Sequence, residues 1–133
     1  MTFCTRNRWH LPESVRQRVL EHCLHDHGCK IHLHCAVVMP DHVHLVYHPL
    51  PDDRGSLYPL EEILGGLKGA SAHSVNRMLK RKGAVWQEES YDHVLRSTES
   101  LHEAVLYVCH NPVRRGLCSQ PEDYPWLWVD FGE

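Results

Sequence analysis

The sequence predicts one α+β domain, a central mostly antiparallel sheet flanked by helices, and three observations carry that prediction. Residues 29–48 contain two alternating apolar segments joined by Pro40 and Asp41, the pattern of a β-hairpin. Residues 11–28, 59–82 and 97–111 instead place apolar side chains at helical spacing. Strand-like and helical segments alternate irregularly along the chain, with no internal repeat or low-complexity tract. With 133 residues, 42% of them apolar, the chain can bury one core and shows no composition shift marking a second, so residues 1–133 are read as a single domain.

Each element has a local reason. "MTFCTR" (1–6) reads as a short strand. The helix at 11–28 starts at Pro12, gathers Val15, Val19, Leu20, Cys23 and Leu24 on one face, and stops at Gly28. "CKIHLHCAVVM" and "HVHLVYH" form the hairpin, and the Pro- and Gly-containing stretch 49–58 is loop. From Pro59 to Lys82, Leu60, Ile63, Leu64, Leu67, Val75, Met78 and Leu79 keep helical spacing, which Gly65 and Gly66 are expected to interrupt. "AVWQEESYDHVLR" (84–96) returns to strand character. The final helix, "STESLHEAVLYVCHN", is capped by Ser97 or Thr98 and ends at Asn111 before Pro112.

Composition excludes several classes. No apolar run reaches membrane-spanning length and "MTFCTRNRWH" has no signal-peptide stretch, so a cytoplasmic protein is expected. Six cysteines form no C-x-x-C pair, which argues against a ribbon-type zinc site and, in the cytosol, against disulfides; most are read as small core residues. A net charge of −3 does not advertise nucleic-acid binding, yet residues 67–83 carry Lys68, Arg77, Lys80, Arg81 and Lys82 with no carboxylate.

Two patterns bear on chemistry. His42 and His44 sit at i and i+2 of the second hairpin arm, so both imidazoles leave from one face, with Val43 and Leu45 on the other. That geometry suits a shared metal, but His32 and His34 repeat the spacing, and with 13 histidines the spacing alone leaves ligands and ordinary strand residues both open. On the last helix Leu101, Ala104, Val105 and Val108 form the apolar stripe, with Tyr107 at its edge. Asn111, four residues on, is expected to project on the same side as Tyr107.

"VVMPDHVHL", "LKGASAHSVNRMLKRKGAVWQEESYDHVLR", "YVCHNPVRRGL" and "PEDYPW", in that order from about Thr2 to Trp128, closely resemble the single-tyrosine HUH transposases, specifically their REP-associated branch. The resemblance implies a ferredoxin-like antiparallel sheet, His42 and His44 as the metal pair, Tyr107 as nucleophile and Asn111 as a third polar ligand. Because the "MPxHxH" context belongs to His42 and His44, it leaves His32 and His34 as strand residues facing solvent or DNA. The implied activity is metal-dependent cleavage and transfer of single-stranded DNA through a covalent 5′-phosphotyrosine, with Mg²⁺ or Mn²⁺ polarising the phosphate.

The resemblance also implies single-stranded or hairpin DNA as the partner, with a monomer favoured and a dimer left open. Lys68, Arg77, Lys80, Arg81, Lys82, Arg96, Arg114 and Arg115 are candidates to track phosphates. Trp86 is read either as a stacking platform for bases or as a core residue. Tyr47, Tyr58 and Tyr124 are structural; Tyr91 is the rival nucleophile, and Asp92 and His93 either support the site or merely pack. Two other classes compete: a non-catalytic single-stranded or hairpin DNA-binding protein, and a metal-dependent hydrolase of small substrates. Tyr107, His42, His44 and Asn111 together disfavour the first, and the basic cluster disfavours the second.

Overall fold

The computed structural model describes residues 1–93 and 98–130. In chain order the elements are β1 (Thr2–Thr5), α1 (Glu13–His25), β2 (Ile31–Val38), β3 (His42–Pro49), α2 (Leu60–Leu79), β4 (Trp86–Tyr91), α3 (Thr98–Cys109), α4 (Asn111–Arg114) and β5 (Leu127–Val129). The strands form one sheet in the order β4-β1-β3-β2-β5, and every neighbouring pair is antiparallel. The first four strands with α1 and α2 make the β-α-β-β-α-β arrangement of ferredoxin-like folds, and β5 adds a short edge beside β2.

Alternation along β3 divides the interior in two. Val43 and Leu45 join Phe3, Val15, Val19, Ile63, Leu67 and Trp86 in the core between the sheet and helices α1 and α2. Val46 points the other way, into a smaller cluster with Cys35, Val37, Met39, Val108 and Tyr124 under α3. His42 and His44, in phase with Val46, therefore belong to the α3 face. β3 is hydrogen-bonded to β1 on one side and β2 on the other, which fixes this phase from both edges.

Three expectations about the elements need correction, and one strand was not expected. Gly65 and Gly66 do not interrupt α2, which runs unbroken from Leu60 to Leu79 with both glycines on its exposed side; the buried Ile63, Leu67, Ser71 and Val75 hold it to the core. Lys80 then closes the helix in the left-handed conformation at φ 53°, so Lys80, Arg81 and Lys82 follow the helix and lie on a loop. The last helix stops at Cys109, and Asn111 begins α4 instead of ending α3. Pro112 has no amide proton to give Val108, so the hydrogen-bond ladder of α3 cannot continue through it. Finally, β5 carries no strand signature of its own in the sequence; its three residues are placed by pairing with Cys35, Ala36 and Val37.

All six cysteines are free thiols, four of them buried, as their spacing implied. No helix among the described residues is long and apolar enough to cross a membrane. Ser97, one of the two expected caps of the last helix, lies outside the described residues.

The segment before β5 is anchored by Tyr124, whose buried hydroxyl donates to the Val38 carbonyl at 2.6 Å. Burial pushes the phenol up to about 12. A folded pKa above the unfolded value of about 10 means that this contribution is fully present below that pH and is lost as pH rises through the folded value. Tyr124→Phe should lower stability at neutral pH by about 1–3 kcal/mol, because Val38 loses its partner. Denaturant unfolding followed from pH 8 to about 11 should show the gap between wild type and variant narrowing at the alkaline end.

Candidate functional site

His42 and His44 stand side by side on β3, their rings 4.6 Å apart and near perpendicular at 82°. Each has its Nδ1 engaged. In His42, Nδ1 lies 2.7 Å from the Asp41 carboxylate, and in His44 it lies 2.7 Å from the Thr2 hydroxyl, brought there by the Thr2↔His44 register of β1 and β3. Asp41 takes the Nδ1 proton, so the Nε2 of His42 keeps its lone pair, and the Asn111 amide meets that atom at 3.2 Å.

Burial lowers the pKa of His42, against the pull of Asp41. Burial also takes His44 down to about 3, helped by His42, the terminal ammonium, Arg114 and Arg115. Both imidazoles are thus neutral at pH 7. Burial alone would raise the Asp41 carboxyl, but hydrogen bonds from His42 and Arg8 outweigh it and hold the group below its ordinary value.

A donor set of two neutral imidazoles and a carboxamide fits a divalent cation. A half turn of the Asn111 amide exchanges Nδ2 for Oδ1, an acceptor, beside the His42 nitrogen. Asn111 is only 6% exposed. Tyr107, by contrast, is 62% exposed. A cleft of about 900 Å³ opens between β3 and α3, with His44 on one wall and Tyr107 on the other, and Asp92 and His93 also line it. Tyr107 and Asn111 straddle the junction of α3 and α4, so they do not share one continuous helix as the spacing implied. The Arg114 guanidinium sits 3.9 Å over the Tyr107 ring and donates to the Tyr107 carbonyl at 2.7 Å.

Tyr91 is also exposed, at 58%. It pairs with Thr2 on β1, which places it two strand spacings from His44, roughly 10 Å. Among the described residues lining the cleft, Tyr107 is present and Tyr91 is not.

Several sequence-predicted DNA contacts fall elsewhere. Trp86 is a core residue, only 6% exposed. Its Nε1 donates to Ser71 at 2.9 Å, and Phe3 meets its ring edge-on at 4.8 Å; it offers no face to a base. Lys68 is spent on β4: its ammonium donates to the carbonyls of Gln87 and Glu88 and to the Ser90 hydroxyl, tying α2 to the sheet. Arg77, Lys80 and Lys82 are not buried and face away from the core. Arg81 stacks on Trp9 at 4.5 Å, next in sequence to Arg8, which reaches Asp41, so the basic loop shares the His42 end of the sheet. Arg115 is exposed at the end of α4. Arg96 lies outside the described residues.

His32 and His34 are half-buried, and His34 with His48 lines the same cleft as His44. His32 bonds Asp130 at 2.7 Å, and His34 bonds His48 at 2.9 Å. His27, His32 and Asp130 bring ligand-type atoms within 4.8 Å of one another. The Nδ1 of His27, however, accepts the Leu33 amide at 2.9 Å, so its Nε2 carries the proton and has no lone pair to give a metal. This group is best described as a hydrogen-bonded network under the sheet edge.

Sequence reasoning missed Asp41, Thr2 and Arg8. Asp41 precedes His42 directly and was legible only as a turn residue; Thr2 and Arg8 arrive through pairing and backbone conformation, which no local pattern announces.

On the central strand of a ferredoxin-like sheet, buried His42 stands beside half-buried His44, and His44 faces the helix-borne Tyr107 across the cleft; the comparisons point to one class of protein. The profile of the IS200-like transposases matches residues 1–110. The chain belongs to that family. It is 28% identical over 94 residues to a protein of Haemophilus influenzae named for the REP-associated tyrosine transposases, covering 67% of this chain and 53% of that protein. It is 31% identical over 91 residues to the REP-associated tyrosine transposase of Escherichia coli K12, covering 68% and 49%. The chain thus spans about half the length of these curated relatives. The fold matches the solved structure of a REP-associated tyrosine transposase bound to a REP hairpin with a TM-score of 0.75, at 23% identity, over 95% of this chain and 72% of the other.

The placement of Trp86 is testable. Trp86→Leu should lower stability by about 2–4 kcal/mol through lost packing. Affinity of the folded variant for single-stranded and hairpin oligonucleotides, read by fluorescence anisotropy, should stay at the wild-type value. A stacking role would instead weaken it by about 1–3 kcal/mol.

Proposed function

We propose that the chain cleaves and rejoins single-stranded DNA beside a hairpin, with Tyr107 as the nucleophile and Mg²⁺ or Mn²⁺ held by His42, His44 and Asn111. The observation that carries the reading is the cleft with neutral His44 on one wall and exposed Tyr107 on the other. Membership in the IS200-like transposases and the hairpin-bound structural relative support the choice of DNA as substrate.

When bound, the cation offsets charge growing on the non-bridging phosphate oxygens. The chain's own groups do the rest. The Tyr107 oxygen attacks phosphorus, forming a 5′-phosphotyrosine as the bond to the 3′ oxygen breaks. The exposed phenol loses its proton to solvent, and the departing oxygen takes one up to become a 3′-OH. The new ester retains the phosphodiester's bond energy, so a 3′-OH can reverse the step without ATP. Arg114, over the Tyr107 ring, and Arg115 present positive charge where the phosphate enters.

Labelled oligonucleotides carrying a hairpin, incubated with the chain and Mn²⁺ and run on a denaturing gel, should give a covalent adduct that mass spectrometry maps to Tyr107. Tyr107→Phe should bind DNA and fold as wild type, within about 0.5 kcal/mol, yet form no adduct. His42→Ala with His44→Ala should abolish the metal-dependent product. An adduct on the Phe variant, or one mapped to Tyr91, would refute the assignment.

A further inference from the structure

We infer that Asp41, clamped by Arg8, is a positioning residue that fixes and strengthens His42 as a metal ligand, an inference that rests on the metal site proposed above. The two oxygens of the Asp41 carboxylate are divided between two partners. Oδ1 takes the imidazole at 2.7 Å, while Oδ2 takes Nη2 and Nε of Arg8 at 2.8 and 2.9 Å. The backbone of Asp41 is held as well, since its carbonyl accepts the Thr5 amide at 2.9 Å and the Thr5 hydroxyl at 3.2 Å. Neither carboxylate oxygen can swing away without breaking one of these contacts.

The approach of Arg8 is bought with backbone strain. Asn7 and Arg8 are consecutive non-glycine residues in the left-handed region, at φ 57° and 56°, each at a cost of about 1–2 kcal/mol. Strain of this kind persists where the surroundings over-determine it, and here it turns the guanidinium onto the carboxylate behind His42. An anion that takes the Nδ1 proton fixes the ring plane, sets the tautomer and makes Nε2 a better donor to a cation. The pair is unequal by construction: His42 is backed by a carboxylate, His44 by the neutral Thr2 hydroxyl.

The test uses the full chain without a histidine tag and MnCl₂ as the probe. Calorimetric titration of Asp41→Asn, whose amide oxygen can still take the Nδ1 proton but carries no charge, should show Mn²⁺ affinity weakened about 10-fold, and Asp41→Ala up to about 100-fold. Cleavage by the Asp41→Asn variant should recover at saturating Mn²⁺ with the KM for DNA unchanged, which a general folding defect would not permit. Arg8→Gln should alter Mn²⁺ affinity when Asp41 is present and have no effect when combined with Asp41→Asn. Nitrogen NMR of the metal-free wild type should find His42 as the Nδ1–H tautomer. Wild-type Mn²⁺ affinity in Asp41→Asn, an Arg8→Gln effect undiminished without the carboxylate, or an Nε2–H tautomer in the wild type would each overturn the positioning role. A wild-type chain that binds no Mn²⁺ at all would remove the metal site itself, and this role with it.

Discussion

The two-residue period of β3 is the constraint on which the rest depends. Because β3 is paired on both sides, its side chains have no freedom of register, and a one-residue slip would exchange Val43 and Leu45 for His42 and His44 in the main core. The apolar face of the strand therefore holds the polar face in place. Burying Val43 and Leu45 completely, at about 1.5–3 kcal/mol each, provides the energy that keeps two imidazoles presented to α3.

Around that strand the surroundings keep the histidines neutral. Burial opposes the imidazolium form in both, and for His44 the nearby Arg114 and Arg115 act in the same direction. Those arginines, with Arg8 behind Asp41, give the site a local positive field although the chain as a whole carries −3. Net charge thus says little about this surface. Asp92, which also lines the cleft, has its charge met by the N-terminal ammonium at 3.6 Å, while the exposed carboxylates Glu88 and Glu89 lie on β4.

Much of this was legible in the sequence because it follows from periodicity. The hairpin, the three long helices and the shared face of His42 and His44 are consequences of repeats of two or of 3.6 residues, and the structure contains them. What escaped depends on contacts distant in sequence. β5 is a strand only because β2 offers it an edge. Trp86 and Lys68 resemble DNA-binding residues by type, and only their contacts place Trp86 in the core beside Ser71 and engage the half-buried Lys68 on β4. Gly65 and Gly66 looked like a break, yet tertiary burial of Ile63 and Leu67 overrides their weak propensity. The proline that splits Tyr107 from Asn111 was visible, but its position one residue after Asn111 was read as an end and not as the start of a new turn.

Anomalous diffraction from crystals of the chain soaked in MnCl₂ tests most directly whether the β3 histidines and Asn111 form one cation site facing Tyr107. The expected result is a manganese peak at about 2.2 Å from the Nε2 atoms of both His42 and His44, with the Asn111 amide turned to present its oxygen. A peak at His32 and Asp130 with none at His42 and His44 would contradict it.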